Sequence, residues 1–288
     1  MSPHKNDRAL RKVLEDYLYL DQRAIERDVA GRPVLDSAGS GQQVFQAMLA
    51  TCLMSNSRAR HPFDSLPGVC LSGVCSYANA IVSRPDQLDV HTNTACRIAS
   101  KLMPLLHGEG QVSGIPGLRL EDLNKRRLRF VHLPTGGRLD LIDSHASNGR
   151  TRRDFRQRFR GETRWHTDPE VKEILWTRTE ISCEEAAFAA HWAARRCAPL
   201  RSALMTRAMV LWYKLGIRPA WNEPVPGRKW PQLTWQAKRD QTDASDLASI
   251  LTRSPVRIPG ADYEPHGASA GLLVLNDAAV LLKSSPFS

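Results

Sequence analysis

The sequence has no apolar run approaching eighteen residues, so it offers no candidate for a membrane-spanning helix. Its opening stretch, "MSPHKNDRALRKVLEDYLYL", is basic and runs straight into a charged amphipathic pattern. It lacks the apolar segment of a secretory signal, and the expected location is cytoplasmic. No C-x-x-C occurs. The six cysteines (Cys52, Cys70, Cys75, Cys96, Cys183, Cys197) are irregularly spaced, which speaks against a disulfide framework. "SAGSGQQ" lacks the Gly-Lys-Ser/Thr ending of a phosphate-binding loop. No internal repeat is legible. Aromatic residues are 7% of a chain that is 42% hydrophobic overall, an ordinary globular balance at 288 residues.

Positive charge is what the sequence has in excess. Forty Lys and Arg against thirty Asp and Glu give a net charge of +10. A chain of this kind meets something acidic: nucleic acid, an acidic protein or an anionic membrane surface. The excess is local. Residues 124–164 hold twelve Lys/Arg and four acids, so this stretch alone accounts for +8. Eleven of the twelve are Arg, whose planar fork suits phosphate and stacks on bases.

The elements around it read as a mixture. Residues 8–30 place Leu10, Val13, Leu14, Tyr17, Leu18 and Ile25 at helical spacing, ended by Gly31 and Pro33. Residues 42–54 predict a buried helix, 55–74 a loop, and 75–83 and 91–106 short helices. "LRFVHLPTGGRLDLID" (128–143) predicts a β-hairpin in which Arg129 and Asp140 face each other. Residues 169–216 read as mostly helical and split at Pro199. Residues 219–235, with four prolines and three tryptophans, read as an irregular loop or linker. A short helix near 243–252 comes next, and 271–283 reads as a closing strand pair around "ND" or as one long strand. The expected fold is α+β, with ferredoxin/RRM-like β elements and a large helical portion carrying an arginine-rich helix. The expected division is a mainly helical 1–110, a hairpin plus arginine-rich helix over 111–168, and a helical hairpin, Trp/Pro-rich loop and strands over 169–288.

"NGRTRRDFRQRFRGETR" (148–164) carries seven arginines. Thr151 suits an N-cap with Asp154 three residues on, and Gly161 suits the C-terminal cap. At ~100° per residue, Arg152, Arg153, Arg156 and Arg160 share one face, beside a Phe155–Phe159 stripe that would dock the helix. Arg150, Arg158 and Arg164 extend the charge, and Lys125, Arg126 and Arg127 add to it from the preceding turn. Like charges on one face repel, and a polyanion relieves the repulsion. Structured RNA is the expected ligand, since distorted hairpins admit a basic helix; the DNA major groove also admits one. Trp165, Trp221, Trp230 and Trp235 are either stacking platforms for bases or packing anchors.

This arginine-rich stretch, with the basic α+β make-up around it, resembles the CRISPR repeat-processing endoribonucleases (Cas6-like proteins), and the type IV members in particular. The family's C-terminal glycine-rich loop is reduced here to "HGASAG" (266–271). The resemblance implies a repeat hairpin gripped by Arg150 to Arg164 and a place beside other subunits of a ribonucleoprotein complex. It also implies metal-independent cleavage by the RNA 2′-OH, with no cofactor. His145, between the hairpin and the arginine stretch, and His132, near the hairpin turn, are then the catalytic candidates; each reads equally as a structural histidine.

Two other chemistries use the remaining residues. Cys75, at the start of a predicted helix, with His132 and Asp143 gives a Cys–His–Asp order resembling papain-like and transglutaminase-like enzymes. Cys70, Cys75, His91 and Cys96 are of zinc-ligating type, at a spacing that is not specific. The two carboxylates of "DASD" (243–246) suit a helix N-terminus as well as an active site.

Overall fold

The structure, a computed structural model, describes residues 35–36, 38–54, 78–92, 95–143, 171–190, 197–213, 217–222, 230–237, 243–254, 256–267 and 269–284. The fold is α+β. It opens with helix α1 (Ser40–Met54), which is buried along most of its length. Strands β1 (Ala78–Ser83) and β2 (Gln87–Thr92) follow as an antiparallel hairpin, then helix α2 (Ala95–Leu102). Short strands β3 (Leu105–His107) and β4 (Val112–Ser113) come next, then the meander β5 (Leu118–Leu123), β6 (Arg127–His132) and β7 (Arg138–Asp143). Strand β8 (Val171–Ile174) pairs with β3 in a three-stranded sheet. Helices α3 (Cys183–Ala190), α4 (Ala198–Thr206) and α5 (Ala208–Tyr213) lead to β9 (Ile217–Asn222) and β10 (Gln232–Ala237). Helix α6 (Ala244–Arg253) and strands β11 (Asp262–Pro265), β12 (Ala270–Leu275) and β13 (Ala278–Ser284) complete the chain.

Two five-stranded sheets dominate. The first has the order β1-β2-β7-β6-β5, with β2 and β7 parallel and every other pair antiparallel. The second has the order β11-β12-β13-β10-β9, with β10 and β13 parallel. Each has five strands and one parallel pair, unlike a four-stranded antiparallel RRM-like sheet. The first sheet takes strands from both sides of residue 110. Alternation places Leu88, Val90, Leu128, Phe130, Leu139 and Leu141 on its inner face, against α1 and α2. In the second sheet Leu233, Leu273, Val280 and Leu282 face Leu247, Ala248 and Leu251 of α6.

Several sequence expectations are met. The hairpin of residues 128–143 forms, and so does the strand pair around Asn276–Asp277, with Asn276 at φ +54° in the two-residue turn. Pro199 sits in the first turn of α4, where no N–H is missed. Asp243 caps α6, accepting from the Asp246 N–H at 2.8 Å, so "DASD" is a helix start.

Others are corrected. Residues 78–83 are strand, because a short apolar run fits a buried strand as well as a helix. Residues 171–174 are also strand. The stretch expected to be irregular supplies β9 and β10. Pro219 is tolerated because β9 lies on the sheet edge, where a missing N–H costs no ladder bond. Among the described residues no helix is long and apolar enough to cross a membrane.

Candidate nucleic-acid interface

The outer face of the first sheet is a field of paired charges. Arg129 grips Asp140 across the hairpin with two bonds of 2.8 Å, from Nε and Nη2, as their sequence alternation predicts. That contact raises the Arg129 pKa above its already high ordinary value. Asp140 is buried and stands in register with the buried Asp89 on the parallel neighbour β2. The Gln87 amide donates to both carboxylates, and Arg84 forks onto Asp89 at 3.0 and 3.1 Å. Arg127 donates to Asp122 at 2.8 Å, and this hydrogen bond is the main reason the Asp122 pKa is lowered. Arg138 lies 3.8 Å from Asp86 and 3.6 Å from Glu121. These arginines are committed to carboxylates of the same face.

Lys125 and Arg126 are not. They occupy the β5–β6 turn, where the Asn124 side-chain oxygen accepts from the Arg126 and Arg127 N–H groups at 3.0 and 2.8 Å. The turn holds both side chains in solvent, and no carboxylate pairs with either among the described residues. The Asp143 N–H donates to the Arg126 carbonyl at 2.8 Å. The last residue of β7 therefore lies against this turn, and the arginine-rich stretch begins seven residues further on, a span of at most ~25 Å of chain. Residues 144–170 lie outside the described residues. With them go His145, Arg150, Arg152, Arg153, Arg156, Arg158, Arg160, Arg164 and Trp165.

His132 sits at the opposite end of the hairpin and has no exposed surface. Its Nε2 lies 3.0 Å from the Pro116 carbonyl, which can only accept, so Nε2 carries the proton. Nδ1 then accepts from the Thr135 hydroxyl at 2.8 Å. The ring stacks on Phe45 of α1, with centroids 5.1 Å apart. Burial lowers the pKa to about 4, against a lesser upward pull from the Pro116 contact. Both nitrogens are engaged inside the core, which removes His132 as a group that meets substrate. It also lies on the order of 17 Å along the strands from Asp143, and its Nδ1 partner is Thr135, so the His–Asp half of the thiol-enzyme arrangement does not assemble. Cys75 and Cys70 lie outside the described residues. His91 is half-buried on β2 and Cys96 is buried on α2. Among the described residues no group of three or more His, Cys, Asp or Glu is placed to hold a metal ion.

The most elaborate polar assembly escaped the sequence reading. Arg119 of β5 directs two bonds onto Glu185 of α3 (Nη1 at 2.9 Å, Nη2 at 2.7 Å). It directs others to the carbonyls of Leu118, Arg178 and Glu180, so all five donors are used. Glu185 also accepts from the Gly117 and Ser182 N–H groups at 2.7 and 3.0 Å. Both side chains are buried. Burial would raise the Glu185 pKa, but Arg119 and the two N–H groups lower it on balance. A local signal was present: Ser182 and Glu185 form a capping box, with the Ser182 hydroxyl accepting from the Glu185 N–H at 3.1 Å. Its distant partner Arg119 left no trace in the sequence.

Comparison with known protein families, with curated proteins and with solved structures finds no match to this chain.

Proposed function

We propose that the protein binds a structured, hairpin-forming RNA through Arg150, Arg152, Arg153, Arg156, Arg158, Arg160 and Arg164, together with Lys125 and Arg126. One observation supports this reading above the rest. The arginines of the first sheet are spent on carboxylates, whereas Lys125 and Arg126 face solvent at the strand end from which the arginine-rich stretch departs. Among the described residues, the solvent-facing cations of this sheet without a carboxylate partner thus lie at one end of it, a pattern that supports an electrostatic footprint there. The CRISPR repeat-processing resemblance implies a class of RNA, a repeat hairpin, and a ribonucleoprotein complex as the setting. It also makes metal-independent cleavage the reaction to look for.

The test is a binding titration at several salt concentrations with the full chain and a hairpin RNA. Reversing Arg152, Arg153 and Arg156 to Glu is expected to abolish binding without unfolding the protein. Lys125→Glu with Arg126→Glu is expected to weaken it and to flatten the salt dependence by about one unit of slope per lost phosphate contact. Wild-type affinity in both variants at moderate salt defeats the proposal. Incubation of bound RNA in EDTA, followed by sequencing of its ends, reads cleavage separately.

A further inference from the structure

One connection scheme describes both large sheets. Among the described residues, each has a helix before an antiparallel hairpin, a second helix that crosses over, and a three-stranded meander. For the first sheet these are α1, β1–β2, α2 and β5–β6–β7; for the second, α4 with α5, β9–β10, α6 and β11–β12–β13. Read from the hairpin edge, the second sheet has the order β9-β10-β13-β12-β11, the counterpart of β1-β2-β7-β6-β5. The single parallel pair falls at the same place in both, between the second hairpin strand and the last meander strand. The crossing helix packs on the meander strands in both: α2 on β6 and β7, α6 on β11, β12 and β13.

The contacts between the halves are reciprocal as well. Helices α1 and α4 pack on each other, α1 reaches β9 of the other half, and α4 and α5 reach β1. Equivalent elements meet equivalent elements, the signature of a two-fold interface. The seam has a polar centre. Buried Gln46 of α1 accepts from the Ser202 hydroxyl of α4 at 2.6 Å and donates to Ser83 of β1 at 3.1 Å. Buried Arg201 of α4 donates to Thr51 of α1 at 2.7 Å. Buried polar groups of this kind fix which surfaces meet and in what register.

We infer that the chain is a fused dimer. Residues 40–143 and 197–284 are two copies of one α–ββ–α–βββ unit, and the α1–α4 seam is an interaction surface whose fitted partner is a second copy of that unit. Among the described residues, strands β3, β4 and β8 and helix α3 have no counterpart in the second copy. They dock on the first, β8 through β3 and α3 through the Glu185–Arg119 pair. The absence of a legible repeat in the sequence is thereby corrected: the repetition lies in connectivity and contacts. This inference does not depend on RNA binding.

Native-state hydrogen exchange on the full chain in rising, sub-denaturing urea tests it. Two fused units should open as two cooperative blocks, with amides of β1, β2 and β5–β7 sharing one isotherm and those of β9–β13 another. Ile81→Val should speed exchange several-fold in the first block alone, and Val280→Ala in the second alone. Ser202→Ala, at the seam, should speed both and spread the two isotherms apart. A single isotherm common to both sheets, moved as a whole by each of the core substitutions, overturns the inference. Ile81→Val and Val280→Ala are mild enough to leave a folded protein in which to read the answer.

Discussion

The two sheets share a connection scheme and differ in what they bury. Within and around the first lie Asp89, His107, Arg119, His132, Asp140, Asp143 and Glu185, all with little or no exposed surface. Among the described residues of β9–β13 and α6, no polar or charged side chain is buried to that degree. A buried charge is tolerated only when its partners are complete, so the first sheet depends on paired geometry. In the second half the buried polar groups sit in α4 and its end, where Arg207 donates to the Val256 and Arg257 carbonyls, and the described strand residues and α6 meet through apolar contact. The sheet that carries the candidate interface is therefore also the one whose integrity follows pH and the presence of single partners.

The strongest way to break the comparison is to remove one member of the buried pair. Arg119→Met leaves Glu185 buried without its counter-ion and should cost about 3–5 kcal/mol in urea denaturation. Arg119→Met with Glu185→Leu should recover much of that loss, because an apolar pair needs no desolvation of charge. In the second sheet, Leu273→Ala should cost about 2–5 kcal/mol as a cavity, with no partner change able to rescue it.

Acid offers a finer cut. Folded His132 stays neutral down to a pKa of about 4, whereas in the unfolded chain it takes up a proton near 6.5. Its contribution is therefore full above pH 6.5 and declines as pH falls from 6.5 towards 4. Between pH 7 and 5 the loss should be on the order of 2 kcal/mol, and it should vanish in His132→Gln. Amide protection in β12 and β13 should change less than in β6 and β7 over that range. The smallest effect expected is that of Asp243→Ala, which removes the α6 cap for about 1 kcal/mol and should show in thermal denaturation.

What could be read from the sequence follows the range over which each element is determined. The hairpin of residues 127–143 was legible because alternation and a five-residue turn sit in one window, and that of 270–284 because two apolar runs flank the Asn276–Asp277 turn. Helix α6 was legible from its cap and period. Strand β9 was hidden by Pro219, whose tolerance depends on lying at a sheet edge, a property of the assembled sheet, and β10 by the Pro-rich stretch that precedes it. The parallel pairs join strands about fifty residues apart, and the Arg119–Glu185 pair spans 66 positions. No local pattern encodes either. Of the charged residues singled out in the sequence, Lys125 and Arg126 stand exposed and Arg129 and Asp140 pair across the hairpin. The sequence also suggested His132 for chemistry, because a histidine near a turn looks exposed until a helix such as α1 is laid over it.

Among the described residues, strand β11 closes the second sheet with an open backbone edge, the kind of surface on which another chain can add a strand. Its sequence there is Asp262, Tyr263, Glu264 and Pro265, with Asp262, Glu264 and Pro265 exposed. Two carboxylates repel an incoming strand and the proline withholds an N–H it would need. Beside the apolar strands β12 and β13, these three residues disfavour the addition of a further strand at that edge. Replacing Asp262 and Glu264 by Val should turn the folded protein towards fibrous aggregation, visible by light scattering before any loss of stability.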